Sequence, residues 1–358
     1  MDLQQKVQKI LDRAVEAGTE CGCQAALFIN GKLEVNAYAG YTDWSRSRQI
    51  NQDTLFPIFS TGKAPLSTLI HRLVRRGILS YDTRIADLWP EYACRGKEDT
   101  QLWQMLAYRM SMDYACDAEY AGGDALDWGK MTARLASLPP RYPVGTRQAY
   151  HAWTYGWLLG EVARRATGRE LPELFRQEVA EPAGMDRFFY GIEETEDNTA
   201  TLVSSMTHGS YDPPAQERLN QAAYRRCCNP SCCAMSNALS IARHYNALDQ
   251  GVLIDPMDLE KILQPCRAAD DPMSLVQGSW EIFGLGYALS GPVHVLTGIF
   301  GHGGAGGSEG LLDWRDHYAI GFTRNCFTDP NIRGDFYDAF HFRNRDWPAT
   351  GAIPEQEK

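Results

Sequence analysis

Strand-like sequence opens this chain and closes it, and the long stretch between is helical. Near the start, "QAALFINGKLEVNAYAG" sets β-forming runs on either side of Asn30-Gly31. That dipeptide suits the type I′ turn of a two-residue hairpin, so residues 24–40 are expected to form a β-hairpin. Near the end, "FGLGYALSG", "VHVLTGIFGHGG", "SEGLLDW" and "HYAIGFTRN" are short, glycine-punctuated and rich in β-formers. From about residue 84 to 265, "LWQMLAYRM", "WGKMTARLASL", "WTYGWLLGEVARRATG", "ELFRQEVAEPAGM" and "NALSIARHYNALDQG" read as helices, separated by turns such as "LPPRYPVG". The expected fold class is therefore α+β: an antiparallel sheet flanked by helices and built from both chain ends, plus a helical lobe. The expected division is 1–84 with 266–358 for the sheet-bearing lobe and 85–265 for the helical one. A cleft between such lobes is a favoured place for a small-molecule site.

A chain of 358 residues exceeds what one core usually holds, which fits one large mixed unit or two packed lobes. Its 45 acidic residues outnumber 35 basic ones, a net charge of −10. Nucleic acid and anionic membranes both call for a basic patch, so neither is expected as a partner; a small molecule is. No apolar run is long enough to span a bilayer. The N-terminal stretch "MDLQQKVQKILDRAVEAG" lacks the apolar centre of a signal peptide, and Val7, Ile10, Leu11, Ala14 and Val15 fall on one helical face. A surface helix and a cytoplasmic location are expected, with the ten cysteines mostly thiols. In "CCNPSCC", Cys227, Cys228, Cys232 and Cys233 do not match the spacing of common zinc sites, and small buried side chains in a turn are expected there rather than a metal. No cofactor is expected.

Chemistry points to "FPIFSTGKAPLSTLIHRL". Leu66, Leu69, Ile70, Leu73 and Val74 repeat with helical period, and Gly77 ends the run. Ser60 and Lys63 sit at its start, three residues apart and so on one face. A serine hydroxyl needs a base to become a nucleophile, and a buried lysine can act as one. The helix N-terminus adds unpaired N–H groups suited to an oxyanion. The bare S-x-x-K pattern arises about once by chance in a chain this long, and a solvated helix start would satisfy it equally. A competing pattern, Gly306-Gly307-Ser308-Glu309-Gly310, matches the nucleophile elbow of α/β-hydrolases. An elbow needs a helix after it and then an acid and a histidine downstream, whereas "EGLLDWRDHYAIGF" after Ser308 reads as strand and turn and barely 50 residues remain, so a glycine-rich hairpin is expected around Ser308.

Three stretches in order decide between these readings: "FSTGKAPL" opening a core helix, "GTRQAYHAWTYGWLLGEVARRATG" with Tyr150 before a helix, and "FGHGGAGGSEGLLDW" with His302-Gly303-Gly304 on a late strand. Together with "RRGILSYDTRIADLWPEY", they resemble the serine β-lactamase and penicillin-binding superfamily over residues 5–325. The likeness is to its class C-related group of family VIII esterases, D-Ala-D-Ala carboxypeptidases, D-aminopeptidases and acyltransferases. The resemblance implies a β-lactamase/transpeptidase-like fold with Ser60 as the acyl-accepting nucleophile and Lys63 as its proton partner. It implies that Tyr150 shares the base role and protonates the leaving group. His302, Gly303 and Gly304 would line the substrate cleft, and the backbone N–H groups of Ser60 and Ala305 would form the oxyanion hole.

Two positions depart from the family pattern. Ala152 replaces the asparagine of the Y-x-N element, removing an amide that contacts acylamides, and His302 replaces a lysine. Recognition of a substrate carboxylate by charge then becomes pH-dependent or absent. Both changes lean toward ester chemistry. The expectation is a serine hydrolase acting on small esters through an acyl-Ser60 intermediate; alternatives are an acyltransferase, a β-lactamase- or D-amino-acid-peptidase-type amidase, or a binding homologue without catalysis. Trp153, Trp157, Tyr224 and Trp280 are expected mainly in the core. The tail "GDFYDAFHFRNRDWPATGAIPEQEK" shows no familiar closing helix.

Overall fold

The computed structural model describes residues 1–113, 123–193, 195–210, 212–264, 266, 275–276, 279–280, 283–289, 298–328 and 332–340. The expected hairpin is β1 (Gly22–Ile29) and β2 (Lys32–Gly40). Asn30 and Gly31 both hold positive φ, +51° and +79°, as a type I′ turn requires. Phe56–Pro57 (β3), Phe188–Tyr190 (β4) and Ala234–Ser236 (β5) form a small antiparallel sheet, and Leu275–Val276 (β6) pairs with Ser279–Trp280 (β7). Then follow β8 (Ile299–Gly303), β9 (Glu309–Asp313) and β10 (Tyr318–Arg324). The main sheet runs β2-β1-β10-β9-β8, antiparallel throughout.

Covering of this sheet on both faces explains why β1 is almost continuously buried rather than alternating. Cys23, Ala25 and Leu27 meet Val7 and Leu11 of the Leu3–Glu16 helix, which Asp2 caps by accepting from the Gln5 N–H at 2.8 Å. Ala26 and Phe28 point the other way, into the core that holds Ile241, Ala242 and Tyr245 of the Ala238–Asp249 helix. That helix lies so close that a β-carbon on Gly321 would sit 2.1 Å from the Ala238 carbonyl, and one on Gly310 would sit 2.3 Å from the Tyr245 ring. The same large core takes the Lys63–Arg75 helix and the Thr154–Thr167 helix, the latter ended by Gly168 at φ +68°.

Two expectations are changed. "FGLGYALSG" is not a strand: Phe283 and Ala288 bridge each other, Ala288 also bridges Gly301 at the sheet edge, and Gly286 between them holds φ +91°. An αL glycine turns the chain back there before a ladder can extend. The tail does contain a helix, Arg333–Ala339, because Phe336, Tyr337 and Phe340 are buried on the face shared with the first helix. Residues 293–297 of "VHVLTGIFGHGG" and 341–358 of the tail lie outside the described residues.

Gly321→Ala should cost about 1–3 kcal/mol, because its methyl meets a backbone carbonyl that cannot swing aside; urea unfolding measures this, and an unchanged midpoint would contradict the close packing. Four histidines are buried and neutral: burial pushes His71 and His151 down to about 4 and His244 and His302 down to about 3. Their unfolded counterparts titrate near 6.5. Stability from them is complete above about pH 6.5 and is lost as the pH falls toward 4 and then 3. Urea midpoints should therefore decline from pH 7 to 5, and a flat profile would refute neutral burial.

Candidate active site

Pairing of β3 with β5 delivers Ser60. After Pro57 the Ile58 N–H donates to the Ala234 carbonyl at 3.0 Å, and a single 3₁₀ turn, Phe59–Gly62, leads into the Lys63–Arg75 helix. Ser60 thus stands one turn ahead of the α-helix rather than inside its first turn. Phe59 holds φ +49°, an unfavourable region for an aromatic residue, and its ring stacks on Phe327 at 5.5 Å. Gly62 has no room for a side chain: a β-carbon would lie 2.4 Å from the Pro230 carbonyl oxygen.

Around the Ser60 hydroxyl the predicted residues converge. Lys63 Nζ donates to Ser60 Oγ at 2.7 Å, and the Tyr150 hydroxyl donates to the same oxygen at 2.8 Å. Lys63 is fully buried, and its Nζ lies 5.0 Å from the centre of the Tyr150 ring. Tyr150 comes from the loop before the Thr154–Thr167 helix. Its ring is held among Phe283, Tyr108 and His302, with centroids 5.7, 5.6 and 5.8 Å away. One oxygen contacted by a lysine nitrogen and a tyrosine oxygen can pass its proton to whichever of the two is deprotonated, without a Ser-His-Asp triad.

The β8–β9 connection faces this turn. A β-carbon on Gly304 would sit 2.2 Å from the Ile58 carbonyl oxygen, so glycine here permits approach to the nucleophile turn itself. Gly303 is exposed with space around it. Among the described residues, the backbone N–H groups of Ser60 and Ala305 have no acceptor. His302 is buried beside Tyr150; its Nδ1 donates to the Gly303 carbonyl at 2.7 Å, while Nε2 has no partner among the described residues. Burial, with the charge of Lys63 adding to it, pushes its pKa down to about 3. His302 is neutral at physiological pH, so of the two expectations for charge recognition the pH-dependent one is set aside.

His151 is equally fixed: Nε2 accepts from the Met112 N–H at 2.9 Å and Nδ1 donates to the Ala149 carbonyl. It cannot supply the amide that Ala152 lacks. Ser308 is buried, and its carbonyl accepts from the Gly304 N–H at 2.7 Å and the Thr61 hydroxyl at 3.2 Å. It belongs to the β8–β9 turn, where Gly306 and Gly307 hold φ +83° and +98°, and strand β9 rather than a helix follows it directly. Trp157 and Tyr224 are core residues and Trp153 is half-buried; the side chain of Trp280 lies outside the described residues.

Sequence reading passed over Asn229 and Ser231. The Ser231 carbonyl accepts from Lys63 Nζ at 3.2 Å and from Ser60 Oγ at 3.4 Å. Its own hydroxyl accepts from the Gly156 N–H at 2.7 Å, and its N–H donates to Asn229 Oδ1 at 2.9 Å. Asn229 is completely buried and also donates to the Trp153 carbonyl at 3.3 Å. The signal was the Asn-Pro-Ser of "CCNPSCC", an Asx-turn sequence overshadowed by its flanking cysteines. Cys227, Cys232 and Cys233 are buried, Cys228 is half-buried, and all four are free. Among the described residues no group of His, Cys, Asp or Glu is arranged to hold a metal.

The profile of the Beta-lactamase family matches residues 7–339. The esterase/beta-lactamase LipL of Mycobacterium tuberculosis is 27% identical over 343 residues, covering 88% of this chain and 79% of LipL. A crystal structure of a family VIII carboxylesterase superposes with a TM-score of 0.79 at 29% identity, covering 94% of this chain and 96% of that one. A penicillin-binding protein homologue from Caulobacter crescentus gives 0.78 at 29%, covering 91% and 92%.

Asn229→Ala should release the Ser231 carbonyl from Lys63 and slow labelling of Ser60 by a fluorophosphonate about 10- to 100-fold, with the fold intact by circular dichroism. Labelling at the original rate would show that the turn does not position Lys63.

Proposed function

Because this chain belongs to the Beta-lactamase family and is a serine hydrolase of that fold, we propose that it cleaves small carboxylic esters through an acyl intermediate on Ser60. The observation that carries this reading is the meeting of Lys63 Nζ and the Tyr150 hydroxyl on Ser60 Oγ, at 2.7 and 2.8 Å. In the first half-reaction Ser60 Oγ attacks the ester carbonyl and its proton passes to the Tyr150–Lys63 pair. The tetrahedral oxyanion is received by the Ser60 and Ala305 N–H groups, which are directed at no acceptor of their own. Tyr150 returns the proton to the departing alcohol, and water repeats the sequence to release the acid.

Ester preference over amide follows from what is missing. Ala152 offers no amide to an acylamido group, and neutral His302 offers no positive charge to a substrate carboxylate. Gly303 and Gly304 leave the strand side of the proposed cleft without side chains; that cleft would lie between the sheet-bearing lobe (1–84 and 266–358) and the helical lobe (85–265), with the Ala238–Asp249 helix of the latter packed on the sheet. The nine described cysteines are all free, which supports a reducing, cytoplasmic setting; among the described residues no helix is long and apolar enough to cross a membrane.

Intact-protein mass spectrometry after exposure to p-nitrophenyl butyrate, a fluorophosphonate and a penicillin tests the reading. Ester and fluorophosphonate should each leave an adduct that peptide mapping places on Ser60, and penicillin should leave none. Ser60→Ala should abolish both adducts, and Lys63→Ala should cost nearly as much, since residues acting as one unit are not additive. An adduct on Ser308, or full activity in Ser60→Ala, would overturn the assignment.

A further inference from the structure

The loop that delivers Tyr150 is held by a side chain two residues earlier. Gln148 is 4% exposed, and both ends of its amide are engaged. Nε2 donates to the Ala107 carbonyl at 2.8 Å and to the Phe283 carbonyl at 3.2 Å, while Oε1 accepts from the Phe283 N–H at 3.2 Å. A flipped amide would set its oxygen against two carbonyls and its NH2 against an N–H, so this orientation is fixed by its partners. Towards Phe283 the amide pairs as a neighbouring strand would, with one bond given and one received. Three segments are thereby clasped: the residue after the Leu102–Leu106 helix, the Tyr150 loop, and the 283–289 segment, which reaches the sheet edge through the bridge of Ala288 with Gly301.

What Gln148 holds is the ring beside Tyr150. Phe283 lies parallel to Tyr150, with 4° between planes and 5.7 Å between centroids, and tilts against Tyr108 at 4.3 Å. Tyr108 sits at φ +59°, and its carbonyl accepts from the Ala149 N–H at 3.0 Å. A phenol hydroxyl is rigidly attached to its ring, so the 2.8 Å approach of Tyr150 to Ser60 Oγ is set by where the ring stands.

We infer that Gln148 is a positioning residue: by clamping the Phe283 backbone it fixes the ring against which Tyr150 stands, and so the line along which Tyr150 meets Ser60 Oγ and protonates the departing alcohol. The inference rests on the proposed ester chemistry and adds to it a residue acting only through Phe283 and the 148–150 backbone. In the step concerned, the bond between the acyl carbon and the alcohol oxygen breaks, its electron pair goes to that oxygen, the oxygen takes the Tyr150 proton, and acyl-Ser60 remains.

Leaving groups separate this role from a purely structural one. Ethoxide is strongly basic and needs the proton as it leaves; p-nitrophenolate is weakly basic and departs without it. Misaligned Tyr150 therefore penalises an alkyl ester far more than a p-nitrophenyl ester, whereas loss of folded protein lowers both alike.

The test measures kcat/KM, which reports acylation, for ethyl butyrate and p-nitrophenyl butyrate with the full-length chain. Gln148→Met keeps the length of the side chain without its amide, and should lower the ethyl ester about 100-fold but the p-nitrophenyl ester less than about 10-fold. Phe283→Leu should move the ratio in the same direction, and adding Gln148→Met to it should change little more, since the two act as one unit. Gly321→Ala, destabilised at the sheet, should keep the wild-type ratio, and circular dichroism checks that each variant is folded. A wild-type ratio in folded Gln148→Met, or full additivity with Phe283→Leu, would overturn the inference. If Gln148→Met does not fold, the ratio in Phe283→Leu decides, and a wild-type value there overturns it. A wild-type chain that cleaves neither ester while a fluorophosphonate still labels Ser60 would sink the ester reading instead. The inference is then decided by labelling, which should slow about 10-fold in Gln148→Met and would overturn it if unchanged. No labelling of the wild-type chain would overturn both.

Discussion

Pairing of β1 with β10 holds the rest of the molecule in place. It sets Cys23 opposite Arg324 and Ile29 opposite Tyr318, so nearly the whole chain is a loop closed by one antiparallel ladder. The entropy of closing a loop grows only with the logarithm of its length, so such a closure is tolerable when both faces of the sheet are then covered. Covering comes from the first and last helices on one face and the Ala238–Asp249 helix on the other. At the end of the ladder Arg324 and Glu20 form a fully buried ion pair at 2.8 and 2.9 Å, and Asn325 accepts from the Gly22 N–H at 2.8 Å. Burial outweighs the attraction of Arg324 and raises the Glu20 pKa to about 7. A pair of this kind adds little net stability compared with apolar packing, but a slipped register would strand its charges.

From that frame the site is assembled by clearance as much as by attraction. The Ser60 turn, the Asn229–Ser231 turn, the start of the Thr154–Thr167 helix and the β8–β9 connection meet at backbone distances that only glycine allows. Gly62 faces the Pro230 carbonyl, Gly156 would place a β-carbon 2.1 Å from Asn229 Oδ1, and Gly304 faces the Ile58 carbonyl. Close approach lets main-chain groups do work often given to side chains. The Ser231 carbonyl orients Lys63, and the Gly156 N–H fixes Ser231.

Much of this was legible in the residues. Asn30-Gly31 announced its turn because few sequences accept two positive φ values in succession. The helix after Lys63 followed from period, and the order of "FSTGKAPL", "QAYHAW" and "FGHGGAGG" pointed to one superfamily. Local rules failed where burial decides. The Arg333–Ala339 helix exists because three aromatic residues find a covered sheet face, and nothing in its own sequence marks that face. "FGLGYALSG" has strand composition but makes two isolated bridges among its described residues, since Gly286 turns it.

The sequence by itself determined the class of chemistry, since a serine, a lysine and a tyrosine in family order carry the nucleophile and its proton partners in their side chains. It also determined the hairpin, the core helix and the sheet built from both ends, all of which depend on short-range pattern. Only the tertiary structure decided that His302 is neutral, that the Ser231 main-chain carbonyl accepts from Lys63, and that three thiols gather beside Phe59. The reason is physical: charge state, main-chain hydrogen bonds and sulfur contacts depend on what surrounds a group in space, and those surroundings come from segments far apart along the chain.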